Sequence, residues 1–222
     1  MGKKVAGADE AGRGPVIGPL VIAAVVVDEN EVQKLSEIGV RDSKRLSPRR
    51  REELFGRIRE IAEDVSVLEL WPEEINSWDG TLNELEVEGF ARALNSLRVK
   101  PDVVYVDAAD VNEGRFGVEI SKGLDFKAKV IAEHGADAKF PVVSAASIVA
   151  KVVRDRGIEE LRKEYGEIGS GYPSDPRTRK FLEDYLREHG DFPPIVRRKW
   201  KTLDKVREKV EKGQRSLYDF LP

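Results

Sequence analysis

Asp9 and Glu10 stand side by side at the end of an apolar run, Val5-Ala6-Gly7-Ala8, and Ala11-Gly12-Arg13-Gly14-Pro15 follow at once. Carboxylates at a strand end can hold a divalent cation, and glycines beside them let backbone amides come close to a ligand. Asp107 closes a second apolar run. Asp137 lies in Glu133-His134-Gly135-Ala136-Asp137, just ahead of a long helical pattern. Four carboxylates at element ends suit one or two magnesium or manganese ions with open positions for substrate oxygens. Two such ions ~3.5–4 Å apart can activate water and stabilise the leaving oxygen of a phosphodiester. A plainer reading stands beside this one, because acidic residues at strand ends also serve as turn and cap residues. Side chains alternate along a strand, so Asp9 and Glu10 can serve one centre only where the strand stops and the backbone bends. Gly12 and Gly14 make such a bend cheap.

The glycines also invite a dinucleotide-binding reading, but Gly12-Arg13-Gly14-Pro15-Val16-Ile17-Gly18 has one residue too many before its third glycine. Pro15 lacks the amide that a helix N-terminus would offer there. No Gly-x-x-x-x-Gly-Lys-Ser/Thr phosphate loop occurs.

The elements that must position these residues follow from the apolar pattern. Residues 5–8 read as a short buried strand, Gly18-Pro19 as a turn, and 20–27 (LVIAAVVV) as a strand covered on both faces. Ser47-Pro48 starts a helix whose stripe is Leu54, Ile58 and Ile61. Residues 65–70 form a third strand, Leu82 to Leu97 line another amphipathic helix, and residues 103–106 form a strand ending in Asp107. Residues 126–131 read as one more strand. A long helix is expected over 142–165, and a helix capped by Ser174 runs to His189, with Gly190 as its stop. A last charged helix covers 200–212, and 213–222 reads as a short tail. Strands and helices interleave early while the last third is helical, which predicts an α/β sheet domain with a helical C-terminal extension.

Composition narrows the setting. The chain has 222 residues, enough for one large domain or one domain with a helical appendage. Charged residues make up 36%, above the ~25% of an average domain, and there are no cysteines and one methionine, a lean towards a thermophile. No disulfide can form, and a cysteine zinc site is excluded. The start Met-Gly-Lys-Lys-Val-Ala lacks a signal-peptide core, and no apolar run reaches the ~18 residues of a membrane span. A cytoplasmic protein without membrane contact is the expectation. With a net charge of -3, any nucleic-acid contact must come from a local basic face.

Taken together, Asp9-Glu10-Ala11-Gly12-Arg13-Gly14-Pro15 resembles the signature of type 2 ribonuclease H (ribonuclease HII). The resemblance continues through Asp42-Ser43-Lys44, Tyr105-Val106-Asp107-Ala108, the run from Ser144 to Lys151, and Gly171-Tyr172-Pro173-Ser174. It covers roughly residues 3 to 200 and is nearest to enzymes of the thermophilic archaeal branch. It implies a ribonuclease H-like mixed sheet flanked by helices: a catalytic domain over 1–168, a helical substrate-binding region over 169–212, and a flexible tail over 213–222. It implies Asp9, Glu10, Asp107 and Asp137 as the catalytic and metal-binding carboxylates, for Mg2+ or Mn2+, with two ions when substrate is bound. Gly12, Arg13 and Gly14 would sense the ribose 2′-hydroxyl, Tyr172 would pack on the neighbouring deoxyribose, and Lys44 would contact phosphate. The implied activity is metal-dependent endonucleolytic cleavage of RNA in RNA–DNA hybrids and at ribonucleotides embedded in duplex DNA, a role in DNA repair. By the same resemblance the cut would fall 5′ of the ribonucleotide, with water as the nucleophile and 5′-phosphate and 3′-hydroxyl ends left. The expected state is a monomer.

These roles agree with the residues themselves. A 2′-hydroxyl both donates and accepts, so close backbone groups can tell RNA from DNA. Tyr172 could equally anchor its loop beside Gly171 and Pro173. Two basic clusters could meet phosphates: Arg41, Lys44, Arg45 and Arg49 to Arg51, and Arg197, Arg198, Lys199 and Lys201 beside Trp200. Of these the second is the expected duplex contact, through Arg197 and Lys199. Charge runs are usually solvated faces. His134 is a surface or capping residue, or it assists proton transfer near Asp137.

Gln214-Arg215-Ser216-Leu217-Tyr218-Asp219-Phe220-Leu221 resembles the sliding-clamp-binding peptide of replication and repair proteins. Gln214, Leu217, Phe220 and Leu221 would be its anchors, with Leu217 and Phe220 on one face of a helical turn. Leu221 stands where a second aromatic is usual. The alternative is a tail folded back on its own core. Two further readings remain open: a DNA nuclease or resolvase using the same carboxylates, and a non-catalytic adaptor bound through the tail.

Overall fold

The computed structural model describes residues 2–41 and 46–218, with side chains through Lys212. Two compact units emerge, each discontinuous in sequence. The first comprises Met1–Ala11, Leu20–Leu70 and Trp78–Asp155, and the second Gly12–Pro19, Trp71–Ser77 and Arg156–Pro222.

The first unit is built on a mixed five-stranded sheet of strands β1 (Lys4–Ala11), β2 (Leu20–Asp28), β3 (Asp64–Leu70), β4 (Val103–Asp107) and β5 (Lys129–Glu133), in the order β3-β2-β1-β4-β5. β1, β2 and β3 pair antiparallel, whereas β1, β4 and β5 pair parallel. Its helices are α1 (Val32–Glu37), α2 (Pro48–Ile61), α4 (Leu82–Asn95), α5 (Glu113–Lys122), α6 (Ala136–Lys139) and the first part of α7 (Pro141–Tyr165).

β2 is buried from Leu20 to Val27, as its unbroken apolar run predicts. Val21, Ala23, Val25 and Val27 join Leu54 and Ile58 of α2 and Val142, Val149 and Val152 of α7 in one core. On the opposite face Ile22 lies against Gly89 of α4, so helices cover both sides of the sheet. Ser47 caps α2 by accepting from the Arg50 amide, and Thr81 with Glu84 forms a capping box on α4.

In the second unit, α3 (Pro72–Ser77), the end of α7, α8 (Pro176–His189) and α9 (Thr202–Tyr218) surround a core of Val16, Ile17, Ile158, Leu182, Val196 and Val206. Gly190 closes α8 in the left-handed region, as read from sequence.

Several elements differ from expectation. β1 runs through Asp9 and Glu10 to Ala11 instead of stopping after Ala8. β5 starts at Lys129, three residues later than predicted. Asp175, not Ser174, caps α8, because its carboxylate accepts from the Arg177 and Ser170 amides. The backbone of α9 continues to Tyr218, past Lys212. The short helices α1, α3, α5 and α6 were not foreseen. Among the described residues no helix is long and apolar enough to cross a membrane.

Gly7 fixes how closely β1 and α7 approach. A Cβ there would fall inside the van der Waals envelope of the Val142 carbonyl and the Val143 nitrogen, which are helix backbone and cannot rotate away. Gly7→Ala is therefore expected to destabilise by about 1–3 kcal/mol, lowering the melting temperature by ~2–12 °C. Thermal denaturation followed by circular dichroism checks this, and an unchanged Tm would show that the contact yields.

Candidate active site

The sheet register brings the first two carboxylates together. β1 and β4 are parallel, with Ala8 opposite Val106, so Asp9 and Asp107 follow at the same level on neighbouring strands. The chain leaves β5 at Glu133 and turns at Gly135, whose φ of 65° is the left-handed region that favours glycine. It then enters α6 with Asp137 in its first turn. Asp107 Oδ1 accepts a 2.8 Å hydrogen bond from the Ala136 amide, which ties the start of α6 to the end of β4. Asp9, Asp107 and Asp137 each place a carboxylate oxygen within 4.8 Å of the others. Asp9 and Asp137 are buried and Asp107 is half-buried.

Glu10 is not part of that mutually close set. Because β1 continues to Ala11, Glu10 and Asp9 project to opposite faces of the strand. Glu10 still acts on Asp9 through its charge.

Burial pushes the Asp9 carboxyl well above the ordinary carboxylate range, and the negative charges of Glu10 and Asp107 push it further. Two residues of α7 oppose that shift. The Ser147 hydroxyl donates to Asp9, and Lys151, one helical turn on, donates to Ser147 and contributes its positive charge. Ser147 and Lys151 lie in the 144–151 run at i, i+4 spacing, on one helix face, but nothing in the sequence ties them to Asp9. Three hard oxygen donors on separate elements, held close despite their repulsion, fit a divalent cation.

His134 is exposed, with its ring nitrogens 3.3 Å from the Ala108 and Val111 carbonyls and its amide donating to Glu113. It pins the loop after β4, a surface and bridging position.

Gly12, Arg13, Gly14 and Tyr172 belong to the second unit. Gly12 has a φ of 84°, and Gly14 is exposed. A Cβ on Gly14 would lie 3.5 Å from the Tyr172 ring, an ordinary contact, so ring and loop are neighbours. The Val16 and Ile17 amides donate to the Gly171 carbonyl at 2.8 and 3.2 Å, and Thr178 Oγ1 accepts from the Gly171 amide. Asp175 accepts from Ser170, and the Arg177 side chain and amide hold its carboxyl far below the ordinary range. Tyr172 therefore rides on a loop fixed at both ends, and 39% of its surface is exposed.

Arg197 is not the surface phosphate contact expected from its charge cluster. It is fully buried, and its guanidinium donates to the carbonyls of Gly12, Arg13 and Gly18. Arg198 pairs with Asp191, while Lys199 is exposed. In the first basic cluster Arg49 and Arg50 pair with Glu53, and Arg51 pairs with Asp155. Lys44, Phe220 and Leu221 lie outside the described residues, and of Gln214 and Leu217 only the backbone, within α9, is described.

A mixed sheet flanked by helices, with three carboxylates gathered at the ends of β1 and β4 and the start of α6, is suited to divalent-metal hydrolysis of phosphodiesters. The family model for ribonuclease HII matches residues 6–203. The ribonuclease HII of Thermococcus onnurineus is 67% identical over 223 residues, covering 98% of each chain. The crystal structure of ribonuclease H2 from Pyrococcus horikoshii superposes with a TM-score of 0.90 at 58% identity, over 94% of this chain and 99% of that one. The structure of the PCNA:RNase HII complex from Archaeoglobus fulgidus gives a TM-score of 0.81 at 45% identity, over 89% and 95%. The chain belongs to the ribonuclease HII family, of the archaeal type. It is accordingly a ribonuclease H, of a divalent-metal-dependent family that acts on RNA in RNA–DNA hybrids.

The raised Asp9 pKa has a consequence for stability. The folded state holds the Asp9 proton more tightly than the unfolded chain does, so its contribution is present below the ordinary carboxylate pKa and is lost as pH rises through the raised value. At neutral pH without divalent metal, Asp9→Asn should raise Tm by about 2–4 °C for each kcal/mol of repulsion relieved. The gain should vanish towards pH 4. Differential scanning calorimetry across pH, with a chelator present, measures both, and a gain independent of pH would refute the electrostatic account.

Proposed function

We propose that the protein cleaves duplex DNA at embedded ribonucleotides as well as RNA in hybrids, and that it cuts on the 5′ side of the ribonucleotide. The observation that carries this reading is the set Asp9, Asp107 and Asp137, three carboxylates within 4.8 Å on three different elements. These residues, with Glu10 alongside, would hold Mg2+ or Mn2+, two ions when substrate is present. Bound there, the cations would neutralise charge on the phosphodiester and favour ionisation of the attacking water.

The chain's own residues prepare that site. Ser147 and Lys151 favour the ionised form of Asp9 and offset part of the cost of its burial. The Ala136 amide orients Asp107. Water adds to phosphorus, the bond to the 3′ oxygen breaks, and that oxygen leaves with a proton, giving 3′-hydroxyl and 5′-phosphate ends.

Recognition falls to the glycine loop and its aromatic neighbour. Gly12, Arg13 and Gly14 follow Asp9 by three to five residues, so chemistry and ribose reading are joined by a short stretch of chain. Backbone groups of that loop would take the 2′-hydroxyl, and the exposed Tyr172 ring beside Gly14 would pack on the next deoxyribose. Lys44 and Lys199 would meet phosphates, and Arg197 supports the loop from within.

A duplex carrying one ribonucleotide, compared with its all-DNA counterpart, tests the proposal with and without Mg2+. Cleavage only of the first, only with Mg2+, and with a 5′-phosphate on the ribonucleotide is expected. Asp9→Asn or Asp107→Asn should lower the rate at least ~100-fold, beyond the loss that follows removal of a mere supporting partner of a metal ligand. Equal cutting of both duplexes would assign the site to a DNA nuclease instead.

The tail supports a partner. The Archaeoglobus fulgidus relative was solved in complex with PCNA, and Gln214, Leu217, Phe220 and Leu221 have the spacing of a clamp-binding peptide. Deleting residues 214–222 should abolish binding to the sliding clamp in calorimetric titration and leave cleavage of a short free duplex unchanged. Clamp binding that survives the deletion would move the interface elsewhere.

A further inference from the structure

Arg197 is the largest fully buried side chain among the described residues, and a buried cation needs compensation. Its partners are backbone carbonyls of the glycine loop. Nη2 donates to Gly12 O at 2.7 Å, Nη1 to Arg13 O at 3.1 Å, and Nε to Gly18 O at 2.9 Å. Trp200 Nε1 donates to Gly14 O at 3.2 Å, and the Arg197 guanidinium lies over the Trp200 ring, 5.0 Å from its centroid. The carbonyls of three successive residues, 12 to 14, are thus engaged by two side chains from one short segment. All these residues belong to the second compact unit.

This pairing dictates where the amides point. In a trans peptide the carbonyl of one residue and the N–H of the next lie in one plane and face opposite ways. No cis peptide occurs among the described residues. The Gly12 and Arg13 carbonyls turn towards Arg197, so the N–H groups of Arg13 and Gly14 turn away from it. Pro15 has no N–H, so the row of donors ends at Gly14. Two successive amides facing the same way form a small cradle for an oxygen. Gly14, the second of them, is the residue beside the Tyr172 ring.

We infer that Arg197, assisted by Trp200, is the positioning residue for ribose discrimination: it sets the peptide planes of Gly12 to Gly14 so that the loop presents amides to the 2′-hydroxyl. The role rests on the proposed reading of the 2′-hydroxyl by this loop. Arg197 itself does not touch substrate. A lysine in its place keeps the charge but loses the planar fork that serves three carbonyls at once.

The test separates ribose discrimination from folding and from general duplex affinity. In an Asp107→Asn background, which holds substrate without turnover, Kd is measured with Mg2+ for a duplex bearing one ribonucleotide and for the same duplex all-deoxy. Arg197→Lys is expected to reduce the ribo/deoxy preference about tenfold, the scale of a lost charge-assisted hydrogen bond, with the all-deoxy Kd changed less than about twofold. Trp200→Phe keeps a ring beneath Arg197, removes the donor to Gly14, and should lower the preference by a smaller factor. It carries the test alone if Arg197→Lys fails to fold. Undiminished preference in the folded variants overturns the inference. A parent protein with no preference overturns the 2′-hydroxyl reading itself, and this role with it.

Discussion

Mutual repulsion among carboxylates is the constraint around which the first unit is arranged. Asp9, Asp107 and Asp137 would separate if their side chains were free to do so, since like charges repel, and the charge of Asp107 helps push the Asp9 carboxyl up. They cannot, because their positions belong to the backbone. Asp9 and Asp107 share a level through the β1–β4 register, and Asp137 follows an amide that is bonded to Asp107. Gly7 lets α7 press against β1, which brings the Ser147–Lys151 pair to Asp9. The buried β2 and the cores on both sheet faces make the arrangement expensive to undo. The cluster is held by the fold, and the fold bears the strain of an assembly that favours a cation.

The second unit solves the reverse problem. Here a cation is buried, and the negative ends of peptide dipoles surround it. A guanidinium can donate in several in-plane directions, which suits carbonyls lying in a ring. The same loop is stitched by the Ile17–Val196 bridge, by Gly171, and by the Arg197 amide, which donates to Val16 O. Its conformation is over-determined, as a backbone reader requires, because a displaced peptide plane would lose its hydrogen-bond direction.

Much of this was legible in the sequence, and the failures have physical causes. The unbroken apolar run of β2 announced burial on both faces, and Ser47, Pro48 and Gly190 marked helix ends by their own chemistry. β5 was misplaced because Lys129 and Glu133 bracket a three-residue apolar stretch, too short to fix bounds. The helix α5 was hidden by Gly114 and Gly117, although Gly117 is small because it packs on Ala132 of β5. Asp9, Asp107 and Asp137 were recognisable as strand-end and turn carboxylates. Glu10 could not be assigned a face until the strand's length was known. Arg197 was read as part of a charge run, since its neighbours Arg198 and Lys199 are exposed and nothing local distinguishes it. Its partners are about 180 residues away in the chain.

A protein that stores repulsion at one end of a central strand must secure the other end. Lys4 opens β1 and pairs with Asp28 at the end of β2 and with Glu63 just before β3. Its amide also donates to Asp102 ahead of β4, at 2.7 Å. These contacts knit the starts and ends of four strands at the edge of the sheet remote from Asp9. A network of this kind gains on isolated pairs as temperature rises, because the desolvation penalty of charges falls while hydrophobic stabilisation levels off. The dense charge of the sequence is then no general ornament of the surface. Part of it anchors β1 at its start, where stability can be added without touching the carboxylates at its end.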